Sequence, residues 1–206
     1  MRAMVLFAVP IIAAGMVAGC GNNTANPQPP DINAVHSSGL ATPPSSTTTA
    51  PTKSSPVTSA RGNIKKTVGE VAALCTDTNC TDLSVTFTLD KIEVNPKCTD
   101  KYSADAKPEN GHFVVLSFTM KTTDKFSGHA QYFSLNPFEF SIVGPDGITI
   151  QNTSSSQCMA MSEMLPLGNY SPSSQYIGKV VLDTKHAHGV VVFKQGWMDG
   201  GWEWEY

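Results

Sequence analysis

The segment from Leu83 to Val94 does most to limit what this chain can become. Leu83, Val85, Phe87 and Leu89 alternate with Ser84, Thr86, Thr88 and Asp90. A period of two puts one set on each face of a strand, and it excludes an amphipathic helix, whose apolar positions recur every three to four residues. The apolar set resumes one residue out of step at Ile92 and Val94. A β-bulge near Asp90-Lys91, adding one residue to this strand only, accommodates the slip.

The same pattern recurs downstream. Val114, Leu116, Phe118 and Met120 alternate with Val115, Ser117, Thr119 and Lys121. Phe138, Phe140 and Ile142 make a third run, and Gly144-Pro145-Asp146-Gly147 is a strong turn signal before Ile148 and Ile150. Val180 and Leu182, then Val190 to Phe193, mark further strands, and the chain ends with Trp202, Trp204 and Tyr206 alternating with Glu203 and Glu205. Thr67 to Leu74, with its Ala and Glu content, suits a helical turn as well as a strand. Short strands separated by turns, with no long helical period, predict an all-β antiparallel β-sandwich over residues 63–206.

The N-terminus reads differently. Arg2 precedes an uncharged apolar stretch, Ala3 to Met16, and Val17-Ala18-Gly19-Cys20 closes it. This has the layout of a secretory signal, is too short to span a bilayer, and ends like a bacterial lipobox. Residues 1–19 are therefore expected to be a lipoprotein signal peptide, with Cys20 lipidated as the first mature residue. Two acyl chains anchor stably where one does not, so the expected address is the extracytoplasmic face of the cell membrane. Residues 20–62 complete the anchor and form a tether rich in Asn, Pro, Ser, Thr and Ala, with Asp31, Lys53 and Arg61 as its charged residues. Such a composition predicts disorder, with an r.m.s. span of about 35 Å.

Export favours oxidised thiols. With Cys20 set aside, Cys75, Cys80, Cys98 and Cys158 form an even set with three possible pairings. The pairing Cys75–Cys80 and Cys98–Cys158 is favoured, because Cys75 to Cys80 is a turn-rich loop between two strand candidates. A zinc site lacks regular spacing and a paired histidine.

The order of elements carries a resemblance. Val68-Gly69-Glu70 precedes the Leu83–Val94 strand. Gly111-His112-Phe113-Val114-Val115-Leu116 follows, then Phe-x-Phe with the Gly-Pro-Asp-Gly turn, Gly178-Lys179-Val180-Val181-Leu182, and Gly201-Trp202-Glu203-Trp204. Over residues 67–206 this resembles a family of actinobacterial and Gram-positive surface lipoproteins without an established activity. It is similar to secreted mycobacterial immunogenic antigens. Leu165-Pro166-Leu167-Gly168 departs from that family's pattern by the polar stretch Asn169 to Ser174 that follows it. The resemblance implies an immunoglobulin-like sandwich and a surface location, and it brings no catalytic residues.

The chain carries no nucleophile elbow, zincin motif, P-loop or dinucleotide fingerprint, so neither catalytic residues nor a cofactor are expected. His186 and His188 would share a strand face, yet beside Gly189 they read as a turn rim. Asp77, Asn79 and Asp82 read as turn formers rather than calcium ligands. Met159, Met161 and Met164 read as packing near Cys158. The aromatic stripe Trp202, Trp204 and Tyr206 is the candidate ligand-binding face, since aromatic rings stack on sugars; the competing assignment is core packing. Glu203 and Glu205, opposite it, are expected in solvent. The net charge of −3, without a basic patch, argues against nucleic acid. The expected function is a non-enzymatic, lipid-anchored surface domain that binds an envelope protein or polysaccharide. The alternatives are a carbohydrate- or lipid-ligand module, or a prophage superinfection-exclusion lipoprotein.

Overall fold

The computed structural model describes residues 56–77 and 80–206; the leader 1–19, Cys20, residues 21–55 of the expected tether and Asn79 lie outside the described residues. The strands are β1 (Ile64–Lys65), β2 (Val71–Cys75), β3 (Leu83–Val94), β4 (His112–Thr122), β5 (Phe140–Val143), β6 (Thr149–Ile150), β7 (Gln175–Thr184), β8 (Val190–Phe193) and β9 (Trp202–Glu205). They form two sheets, ordered β2-β3-β4-β7 and β1-β9-β8-β5-β6. Every pairing is antiparallel except β1 on β9, which is parallel.

The alternation in β3 works as its sequence implies. Val85, Phe87 and Leu89 are buried in the core. The β3–β4 register passes from Leu89↔Phe118 to Lys91↔Ser117, so Asp90 is the extra residue of a bulge. Its carboxylate accepts a hydrogen bond from Thr119 Oγ1 at 2.8 Å, and beyond it Ile92 is again on the core side. Leu116, Phe118, Val180 and Leu182 complete this wall, and Phe140, Ile142, Val191, Phe193, Trp202 and Trp204 of the second sheet face it.

β4 is buried on both faces. Phe113 and Val115, with Val181 of β7, form a second apolar cluster with Cys158 and Met159 on the outer side of the four-stranded sheet. The segments that cover them, 95–111 and 151–174, are joined by the Cys98–Cys158 disulfide, with Cα atoms 4.3 Å apart. The second disulfide is Cys75–Cys80, at 5.0 Å. Both match the favoured pairing. Met159 and Met164 pack in this cluster as expected, whereas Met161 is exposed.

Of the two readings open to Thr67–Leu74 the strand holds: a turn over Thr67–Glu70 leads into β2. Two boundaries differ from expectation. Phe138 does not belong to β5. Asn136 Oδ1 accepts from Phe138 N at 3.0 Å and caps a 3₁₀ turn, Pro137–Glu139, which rotates Phe138 outward. Residues 56–62, expected in the tether, fold onto the domain. Ser59 N donates to Asn63 O and Gly62 N to Ser59 O, closing a tight turn at Gly62 (φ +78°), and Lys65 N donates to Val57 O. The positive φ explains the glycine there.

Candidate functional site

The C-terminal aromatic stripe is a structural element, which corrects its candidacy as a ligand face. Trp202 and Trp204 are 4% and 1% exposed. Trp202 meets Phe87 edge-on at 5.0 Å and stacks on Phe193 at 6.0 Å, and Trp204 meets Phe118 edge-on at 6.3 Å. With both rings enclosed between the sheets, neither offers a face to a sugar. Tyr206 is half-buried at the end of β9, where its hydroxyl donates to His186 O at 3.2 Å. Burial pushes the Tyr206 hydroxyl up to about 12.

Glu203 corrects a second expectation. It does face away from the tryptophans, but it is 2% exposed. The residues that cover it come from the arm at 57–66. Arg61 grips the carboxylate with Nη2 at 2.8 Å and Nε at 3.1 Å, and Ser59 Oγ and Asn63 Nδ2 add bonds at 3.0 and 3.3 Å. Glu205 is exposed as expected and pairs with Lys65 at 3.4 Å.

The histidines and acidic loops serve turns. His186 lies against Gly144, where an added Cβ would meet its Nε2 at 2.3 Å. Its Nε2 stands 3.8 Å from Asp146, which also pairs with Lys185 at 3.7 Å. The Asp146 carboxyl is held below its ordinary range chiefly by the Ile148 backbone N–H, and then by Lys185 and His186. Asp77 accepts from Thr81 N, Thr81 Oγ1 and Asp82 N at 2.8–2.9 Å, as a turn former does. Buried Asp183 accepts from the backbone N–H of Glu109 and Asn110 at 2.6 and 3.0 Å, fixing the chain entry to β4. Among the described residues no group of three or more His, Cys, Asp or Glu is placed to hold a metal ion.

A different aromatic group is open to solvent, and sequence pattern did not find it. The β4–β5 loop (123–139) inserts Phe126, Ala130, Phe133 and Leu135 into the core. That anchoring leaves Tyr132 and Phe138 outside, 64% and 66% exposed. The β8–β9 loop (194–201) buries Met198 in part against the core and leaves Trp197 43% exposed. Buried Gln195 joins the two loops: its Oε1 accepts from Ser134 N at 3.3 Å and its Nε2 donates to Tyr132 O at 3.2 Å. Beside them is a pocket of about 300 Å³ whose lining includes Phe138, Glu139, Gln151, Asn152, Lys194 and Gln195. The exposed Phe138 ring among amide and charged side chains can stack on a flat or sugar-like face, and those side chains can hydrogen-bond around it. The available signal was Asn136-Pro137, which starts a turn and so takes Phe138 out of the strand run.

No family model matches the chain, and neither the curated proteins nor the solved structures include a match to it.

Proposed function

We propose that this protein is a non-enzymatic surface lipoprotein. In this reading Cys20 anchors it to the extracytoplasmic face of the cell membrane, and an immunoglobulin-like domain binds an envelope protein or polysaccharide through its β4–β5 and β8–β9 loops. The observation that carries the reading is the solvent-open trio Tyr132, Phe138 and Trp197 on two loops tied together by Gln195. Tyr, Trp and Phe are enriched at protein interfaces, and Tyr and Trp among their energetic hot spots.

The strand order supports the immunoglobulin-like part. The run β3-β4-β7 has the order A-B-E and β9-β8-β5-β6 the order G-F-C-C′, with β2 added outside β3 and β1 outside β9. On that correspondence the two aromatic loops are B–C and F–G, which recognise ligands at one end of variable domains. The family resemblance and the lipobox belong to the same proposal. Carbohydrate does not stack on Trp202 or Trp204 in this reading, because both rings are enclosed in the core.

The test is capture from solubilised envelope fractions with the purified protein, alongside a Tyr132→Ala/Phe138→Ala/Trp197→Ala variant. The wild type should enrich a discrete protein or polymer, and the variant should lose about ten-fold or more in affinity with an unchanged melting temperature. Equal capture by both would sink the assignment of these loops.

A further inference from the structure

Glu203 poses a question that ligand binding by the loops does not answer. Its carboxylate is almost wholly enclosed, yet the hydrogen-bond donors around it, Ser59, Arg61 and Asn63, belong to a single short stretch. A carboxylate locked inside a core would be stranded if its cation were removed, at a large cost. Here the cover and the cation are the same segment. When the arm lifts, Glu203 returns to water, and undocking costs only the contacts of the arm itself.

Besides the bonds to Glu203, buried Asn63 and Ile64, which packs against the core, hold the arm. β1 is two residues long and pairs with β9 at Ile64↔Trp202 and Lys65↔Glu203. Ile64 N donates to Gly201 O and Lys66 N to Glu203 O, at 2.8 and 2.9 Å. Behind it is a bend at 67–70. There Glu70 accepts from Thr67 N and Oγ1 at 2.8 and 2.9 Å, and Gly69 has φ +88°. This bend is held by its own residues, by the Lys66–Glu70 ion pair at 3.6 Å and by one bond from Gly69 N to Leu89 O, so only that last bond ties it to the sandwich.

We propose that residues 57–66 are an exchangeable arm, and that the β9 edge with Glu203 is a docking site for the same arm of a second copy. The occupant's chemistry is set by the cis form seated there: a small hairpin whose turn carries a forked guanidinium two residues after a serine hydroxyl and two before a carboxamide. A second copy supplies the identical segment. The swapped contacts reproduce the cis contacts one for one, Arg61 of each copy gripping the other's Glu203, and no new complementary surface is needed. Copies gathered at one surface would meet at high effective concentration. The docking rests on the arm geometry and is independent of the loop ligand; only the high local concentration rests on the proposed membrane anchor.

The test uses the full chain and a fluorescein-labelled synthetic peptide of residues 56–66, read by anisotropy. The peptide should bind wild type weakly, because the cis arm competes. It should bind the Arg61→Ala chain about ten-fold more tightly, and Arg61→Ala/Glu203→Gln should lose that gain. If Arg61→Ala alters the near-UV circular dichroism, Arg61→Lys replaces it, keeping the charge but not the fork. Isotopically light and heavy wild-type copies, mixed at high concentration, should form mixed dimers in native mass spectrometry, and excess peptide should dissociate them. The proposal is overturned if the peptide ignores the Arg61 variant, if it binds the double variant equally well, or if the mixed copies stay monomeric. A dimer that persists in excess peptide places the contact elsewhere and also overturns it.

Discussion

At the scale of single residues, Phe87 holds the centre of the sandwich. Its ring lies 5.0–6.5 Å from those of Phe118, Phe133, Phe193, Trp202 and Trp204. Phe87→Ala should therefore cost about 3–5 kcal/mol, read from urea denaturation midpoints, and a loss below about 1 kcal/mol would show that the core is organised elsewhere. Glu163 makes a pH prediction. The Thr99 hydroxyl, followed by Lys179, holds its carboxyl below the ordinary value of 4.5, against a smaller opposing effect of burial. A group whose folded pKa is depressed contributes stability above its unfolded value and loses it as pH falls through the folded one. The urea midpoint should thus fall below pH 4.5, and Glu163→Gln should flatten that fall; an unchanged profile would remove Glu163 from the account. Individual residues were unevenly legible. The alternation correctly pointed Glu203 away from the tryptophans, but its burial depends on Arg61, which is remote in sequence and lies in a stretch composed like a linker. No local period encodes such a contact.

At the scale of elements, strands were easier to read than the segments between them. The phase slip at Asp90 located the bulge because a pleat allows only two faces. Phe126, Phe133 and Leu135 follow no period, so nothing in their spacing announced that the β4–β5 loop plugs the core. The two disulfides act on different elements. Cys98–Cys158 closes a sequence separation of 60 residues and Cys75–Cys80 one of 5, so the chain-entropy model assigns them about 4 and about 2 kcal/mol. Cys98→Ser/Cys158→Ser should lower thermal stability more than Cys75→Ser/Cys80→Ser. It should also raise hydrogen exchange in 95–111 and 151–174 before the β3–β4 ladder. Equal losses in the two variants would argue against this division.

At the scale of the whole molecule, anchor and domain should be separable. Cys20→Ala is expected to abolish lipidation and release the protein from membranes, while the near-UV circular dichroism of the sandwich stays unchanged; a variant that loses its fold would refute the separation. The arm also sets how the domain would respond to force. Tension applied through Pro56 reaches the Val57–Lys65 bond first and then the Arg61 clasp, in sequence rather than all at once. Ten residues, 57–66, released at up to about 3.5 Å each would span at most about 35 Å once β1 had peeled from β9. The clasp would therefore act as a mechanical fuse, giving length under shear and re-forming when the pull stops.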